Sequence, residues 1–98
     1  MATKTKPLFE CGRIVSTSTI NRMIARNVDF SVFVYKSLHR FLKGDWGDIS
    51  IEDKAYNELS LENGNRILGV YNYPGSEPIW ILTEAGRSCT TIMFRYEY

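Results

Sequence analysis

The first half of the chain repeats apolar residues with the period of an α-helix. Between residues 30 and 43 they recur at spacings of three and four, at Phe30, Phe33, Val34, Leu38 and Phe41. Asp29 precedes this segment as a helix-capping residue, and Gly44 follows it where a left-handed residue commonly ends a helix. The pattern predicts an amphipathic helix over 30–43 that packs its aromatic face against a sheet.

Two shorter helices are predicted on either side of this segment. The hydroxyl residues Thr17 and Ser18 can cap a helix over 19–27, and Ser50 with Asp53 forms an acidic variant of the capping box. The sequence Glu-Asn-Gly at 62–64 ends that third helix. Its expected buried face consists of Ile51, Ala55 and Leu59.

From Arg66 onward, β-branched and aromatic residues dominate, and turn-forming residues interrupt them at 74–78 and 85–87. This pattern of strand-forming and turn-forming residues predicts a three-stranded antiparallel meander, with Gly86 supplying a positive φ at its second turn. A short strand over 12–16 precedes the helices. The expected fold is therefore α+β, with a short N-terminal strand, three helices and the meander, and with the helices packed on one face of the sheet. The N-terminal strand is available as a fourth strand.

Composition indicates one domain and excludes several classes of protein. The 98 residues, 44% of them hydrophobic, fit a single α+β domain over 1–98 with a flexible lead-in over 1–10. A net charge of +1 gives no global field for nucleic acid. Cys11 and Cys89, with one histidine, make no metal-ligand spacing, so we expect free thiols in the cytoplasm and no cofactor. No apolar run has the length of a membrane span.

The sequence HRFLKGDWGD at 39–48 is the densest polar and aromatic cluster. One interpretation is structural: a helix end at Gly44 followed by a connection into the next helix, with a tryptophan lying across the seam between helices. The other is a ligand or partner site built from His39, Arg40, Asp45 and Trp46. His39 has neither a second histidine nor a nearby cysteine or serine motif to support a metal or nucleophilic site.

A second polar cluster, TEAGRSCTT at 83–91, allows two interpretations as well. It can be a hairpin tip with a surface ion pair between Glu84 and Arg87. If the tip belongs instead to a partner-binding patch, replacing Arg87 with alanine should weaken partner capture by about 2 kcal/mol and leave the melting temperature nearly unchanged. It can also be an anion or nucleotide site, with Arg87 as the main donor and Arg66 or Arg40 as a second cation. No phosphate-binding glycine motif is present.

These clusters also carry a resemblance. The pattern HRxxxGDWG, NE, RxLxxY and WxxTExxRSxTTI resembles a group of small bacterial proteins encoded on plasmids, phages and other mobile genetic elements. Its positions here are His39, Arg40, Gly44, Asp45, Trp46, Gly47, Asn57, Glu58, Arg66, Leu68, Tyr71, Trp80, Thr83, Glu84, Arg87, Ser88, Thr90, Thr91 and Ile92. Gly86 stands where the pattern has an acid, and RYEY replaces PEEY at 95–98, so a paired carboxylate for Glu84 is missing. The resemblance implies a genomic setting rather than a reaction.

The sequence therefore favours a non-catalytic interaction or regulatory protein of a mobile element that binds a host or defence-related protein. One alternative is a binder of a nucleotide or nucleic-acid phosphate through Arg87, Arg66 and Arg40. The other is a small metal-dependent hydrolase or nuclease, for which no recognised ligand spacing exists. The candidate binding residues are His39, Arg40, Asp45, Trp46, Arg66, Tyr71, Glu84, Arg87, Thr90 and Thr91.

Overall fold

The structure, a computed structural model, describes residues 7–98. Its elements are β1 (Arg13–Ser16), α1 (Ser18–Arg26), α2 (Val28–Leu42), α3 (Ile51–Asn63), β2 (Ile67–Tyr71), β3 (Ile79–Thr83), β4 (Cys89–Phe94) and a final 3₁₀ turn (Arg95–Glu97). The first six residues of the expected lead-in lie outside the described residues.

The four strands form one mixed sheet in the order β1-β4-β3-β2. The α+β class, with three helices packed on a sheet, is as predicted. The antiparallel meander β2-β3-β4 is only part of the sheet, because β1 pairs parallel to β4, from Arg13 opposite Cys89 to Ser16 opposite Ile92. Three helices and two strands separate β1 from β4, so no hairpin fixes their relative direction.

Side-chain caps set the helix starts. The helix predicted to begin at Phe30 begins instead at Val28, because Asn27 rather than Asp29 is the cap: its Oδ1 accepts the Phe30 N–H at 3.1 Å. Asp29 lies in the first turn, where a negative charge favours the helix dipole. The predicted caps Thr17 and Ser50 are confirmed for α1 and α3.

One face of the sheet carries the core under α1 and α2. Its buried residues are Ile20, Phe30, Val34 and Phe41 from the helices and Ile67, Ile79, Ile81 and Ile92 from the strands. Phe9 packs edge-on against Phe41 with ring centroids 5.4 Å apart, and the Leu8 N–H donates to the Leu42 carbonyl. Leu8 and Phe9, within the expected lead-in, therefore both contact α2.

The predicted buried face of α3 is wrong. Ile51 and Leu59 are 82% and 60% exposed, whereas Asn57 and Ser60 are buried. The reason is that α3 lies beside the edge strand β2, where Asn57 donates to the Leu68 carbonyl at 2.8 Å and accepts the Leu68 N–H at 3.2 Å. The Asn57 side-chain amide thus takes the place of a neighbouring strand as hydrogen-bond partner of β2. Because the backbone groups at this sheet edge need a partner, the side of α3 that carries Asn57 is the side that faces the sheet.

Candidate functional site

The connection GDWGD completes the edge of the sheet. The Trp46 carbonyl accepts the Val70 N–H at 3.0 Å, and the Asp48 N–H donates to the Val70 carbonyl at 2.7 Å, so the segment pairs with β2 through a short parallel bridge. The Trp46 side chain is only 3% exposed, and its Nε1 donates to Glu58 at 2.8 Å. Trp46 is therefore a core residue that cannot offer its ring to a partner.

Arg40, Asp45 and Tyr71 form a closed network above this connection. Arg40 donates from Nε and Nη2 to the two carboxylate oxygens of Asp45, at 2.8 and 3.2 Å, and lies 5.0 Å above the Tyr71 ring. The buried Tyr71 hydroxyl donates to the Asp45 carbonyl. The hydrogen bond from Arg40 lowers the pKa of Asp45, and burial raises the pKa of Tyr71. These polar groups are engaged with one another.

His39 lies beside this network on α2. Its ring is half-buried and contacts the Tyr35 ring, with centroids 4.4 Å apart. Tyr35 is itself 63% exposed. The pair therefore belongs to the outer side of α2 rather than to a cleft.

The threonines of the second cluster are divided between the two faces of the sheet. Thr83 and Thr90 are fully buried, and their hydroxyl oxygens are 2.6 Å apart. The Thr90 hydroxyl donates to the Cys11 carbonyl at 2.7 Å, so the proton between the two threonines comes from Thr83. Thr91 is half-buried on the opposite face. Thr90 therefore ties the segment before β1 to the sheet.

Arg87 holds the end of α3 to the hairpin. Its Nη2 donates to the Ser60 carbonyl and its Nη1 to the Asn65 carbonyl, both at 2.7 Å. It also supplies the left-handed position of the turn, with φ 59°, which was expected of Gly86. The expected ion pair with Glu84 is absent among residues 7–98, where the ion pairs are Arg40–Asp45 and Arg95–Glu77. Glu84 is exposed.

These contacts change the expected effect of Arg87→Ala. The Ser60 carbonyl also accepts the Gly64 N–H, so the cost comes from losing two hydrogen bonds made by a charged donor, which should lower the free energy of unfolding by about 1–3 kcal/mol. Alanine and arginine both carry Cβ, so the backbone strain is the same in both proteins. Urea unfolding of Arg87→Ala beside Arg95→Ala, which breaks an exposed ion pair, measures the difference. Equal midpoints for the two variants would contradict the capping role.

Arg66 lies at an open groove on the second face of the sheet. The groove encloses about 600 Å³, with Leu68, Val70 and Trp80 from the strands and Asp53 and Tyr56 from α3 among its lining residues. Asp48 and Arg95 also line it. Arg66 is the one candidate residue there. The others were missed because the lining comes from four separate segments. The nearly continuous apolar runs ILGVY in β2 and IWIL in β3 do indicate that both sheet faces are used.

The outward side of α3 is the largest departure from the expected packing. Ile51, Ala55 and Leu59 are four residues apart and so follow one line along the helix, pointing away from β2. Glu58 and Glu62 lie alongside this line at the same helical spacing. We call Ile51, Ala55 and Leu59 the α3 stripe.

The near-neutral net charge conceals a strong segregation. Residues 13–43, which contain α1 and α2, carry six cations and one acid, whereas residues 45–63, which contain α3, carry six acids and one lysine. The α3 stripe therefore lies in the acidic part of the protein, which favours association with a basic surface.

Within residues 7–98, no three His, Cys, Asp or Glu side chains are grouped so that they could hold a metal ion, and no helix is long and apolar enough to cross a membrane. Comparison with protein-family models, with curated proteins and with solved structures finds no match.

Proposed function

We propose that the chain is a small non-catalytic interaction protein of a mobile genetic element, which binds a host or defence-related protein through the α3 stripe. The observation that carries this proposal is the exposure of Ile51 and Leu59, at 82% and 60%, on a helix whose fully buried residues are Asn57 and Ser60. The genomic setting rests on the resemblance of the sequence pattern.

An exposed apolar residue by itself needs no explanation, since much of any protein surface is apolar. Apolar residues on one line of a helix are different, because they reproduce the spacing by which helices dock into grooves. Here the opposite side of α3 is already fixed to β2 by Asn57. The α3 stripe is thus held rigidly outward, which lowers the entropy cost of binding.

The charges around the α3 stripe define its partner. Glu58 and Glu62 flank it, and the helix begins with Glu52 and Asp53. A complementary partner carries an apolar strip bordered by lysine or arginine. Such charges accelerate association and make it sensitive to salt.

The two clusters that drew attention in the sequence contribute little to this surface. Trp46 and Thr90 are buried, and Arg87 is engaged by carbonyls of α3 and the following loop. Arg40 and Asp45 satisfy each other. The proposal therefore keeps a protein partner and places its contact on α3.

Quantitative capture from a bacterial host tests the proposal with matched variants. The double variant Ile51→Ser with Leu59→Ser removes the apolar contact, and both sites are exposed, so its stability should stay within about 0.5 kcal/mol of wild type. We expect the partner retained by wild type to bind the variant at least about tenfold more weakly, as for the loss of a hot spot. Binding to wild type should also weaken as salt rises.

The control is Val28→Ser with Tyr35→Ser, which removes residues that are 78% and 63% exposed on α2. This variant should retain the partner like wild type. A partner that binds the α3 variant as tightly as wild type, or the absence of any salt-sensitive partner, would contradict the proposal.

A further inference from the structure

The groove on the second face of the sheet has the shape and chemistry of a small-molecule site, independent of the α3 stripe. Its volume of about 600 Å³ lies within the range of ligand pockets. Its floor is apolar, from Leu68 and Val70 on β2 and Trp80 on β3. A ligand with an apolar or planar body is therefore favoured over a simple ion.

We infer that this groove binds a small molecule that combines a planar ring with a phosphate group, of which a nucleoside monophosphate is the simplest example. Trp80 is half-exposed and offers an aromatic surface for a ring. Within residues 7–98, its Nε1 is the one buried side-chain polar atom without a hydrogen-bond partner. Because this N–H is buried, the exposed ring surface of Trp80 rather than its Nε1 is what the residue presents to a ligand.

Arg66 supplies the cation for the phosphate. Its guanidinium lies 5.6 Å from the centre of the Tyr98 ring and donates to the Tyr98 hydroxyl, and the Tyr98 ring lies 5.3 Å from that of Trp80. Arg66 and Trp80 therefore both line the groove and both contact the Tyr98 ring. The exposed guanidinium keeps further N–H groups for phosphate oxygens.

Arg95 supplies a second cation to the groove. Its Nη2 lies 3.2 Å from Glu77, an exposed pair that leaves its other N–H groups available. It directly follows Phe94, which pairs with Ile79 at the opposite end of the strands from Arg66. Arg95 therefore adds positive charge at the second end of the groove.

Two acidic residues in the groove further restrict the class of ligand that it can bind. Asp48 and Asp53 line the same groove, and Asp48 accepts one hydrogen bond, from the Asn72 N–H at 3.2 Å. Carboxylates can accept hydrogen bonds from sugar hydroxyls or a ring amino group. A fatty acid is disfavoured as the ligand because it has no hydrogen-bond donors for these carboxylates. A polyamine is disfavoured because it has no negative group for Arg66 and Arg95 to bind. A ring, a phosphate and hydroxyl donors together match nucleotide chemistry.

Titration of the isotope-labelled protein with adenosine monophosphate, followed by NMR, tests this inference. The Trp80 indole N–H signal is assigned by its loss in Trp80→Phe. We expect the nucleotide to shift this signal and the backbone amides of Leu68 and Val70, while the Trp46 indole, already bonded to Glu58, stays in place. Adenosine alone and inorganic phosphate alone should each bind at least tenfold more weakly than the nucleotide.

Matched arginine variants complete the test. Arg66→Gln should weaken nucleotide binding at least tenfold and Arg95→Gln at least threefold, whereas Arg26→Gln, at an exposed site on α1, should leave it unchanged. Unmoved Trp80 and β2 signals at millimolar nucleotide would overturn the inference. So would equal binding of adenosine or of phosphate, or unchanged affinity in Arg66→Gln. Ile51→Ser with Leu59→Ser tests the partner surface separately, because neither residue contributes to this proposed site.

Discussion

Trp46→Ala should lower the free energy of unfolding by about 3–5 kcal/mol, the usual cost of deleting a buried aromatic side chain. The ring is 3% exposed and packs against Phe41 and Phe9, with centroids 5.6 and 6.0 Å away. Its removal also leaves Glu58 without its indole donor. The variant should therefore lose stability whether or not a partner is present.

Urea unfolding followed by circular dichroism measures this loss without relying on tryptophan fluorescence. Trp46→Phe keeps a ring but loses the N–H, so its loss should be smaller, at about 1–2 kcal/mol. Unfolding of Trp46→Ala at the wild-type midpoint would show that the connection GDWGD is not part of the core.

Gly47→Ala should be at least as damaging, with a loss of about 3 kcal/mol or more. Gly47 has φ +79°, and an added Cβ would lie 2.0 Å from the Val70 carbonyl oxygen and 2.8 Å from the Tyr71 ring. The Val70 carbonyl belongs to the backbone of β2 where that strand pairs with the GDWGD connection. It therefore cannot move aside without breaking the bridge. Circular dichroism during thermal unfolding measures the loss.

Gly75→Ala is the matched control for this substitution. Gly75 has nearly the same φ, +78°, but an added Cβ would meet no atom within 4 Å. It should lose only the cost of a left-handed alanine, about 1 kcal/mol. Equal losses in the two variants would mean that close approach to β2 is unimportant and that backbone conformation accounts for both.

The helices could be predicted from local sequence because their signals are local. The aromatic spacing of α2 and the hydroxyl caps of α1 and α3 each involve residues within a few positions of one another. The buried side of α3 could not be predicted that way. Its orientation depends on Asn57 pairing with Leu68, eleven residues later, and an asparagine gives no sign of such a partner in a hydrophobicity pattern.

The candidate site illustrates the same limit. The cluster 39–48 is dense because it ends a helix, pairs with Val70 and satisfies Arg40 with Asp45, and the Val70 contact crosses more than twenty residues. Arg87 reaches a carbonyl 27 positions away. The clustering of polar residues in the sequence therefore indicates a binding site where the structure shows mostly contacts within the protein. The α3 stripe has the spacing of a buried helix face, so the sequence predicts core where the structure shows an exposed surface.

Site-specific photo-crosslinking tests the central claim most directly, namely that the α3 stripe contacts a protein partner. A photoreactive phenylalanine analogue placed at position 59 should form a crosslink to the partner in host cells, and the same analogue at position 35 on α2 should form none. Adding Ile51→Ser should reduce the crosslink at position 59. A crosslink of equal yield to the same protein from position 35, or none from position 59, would contradict the account.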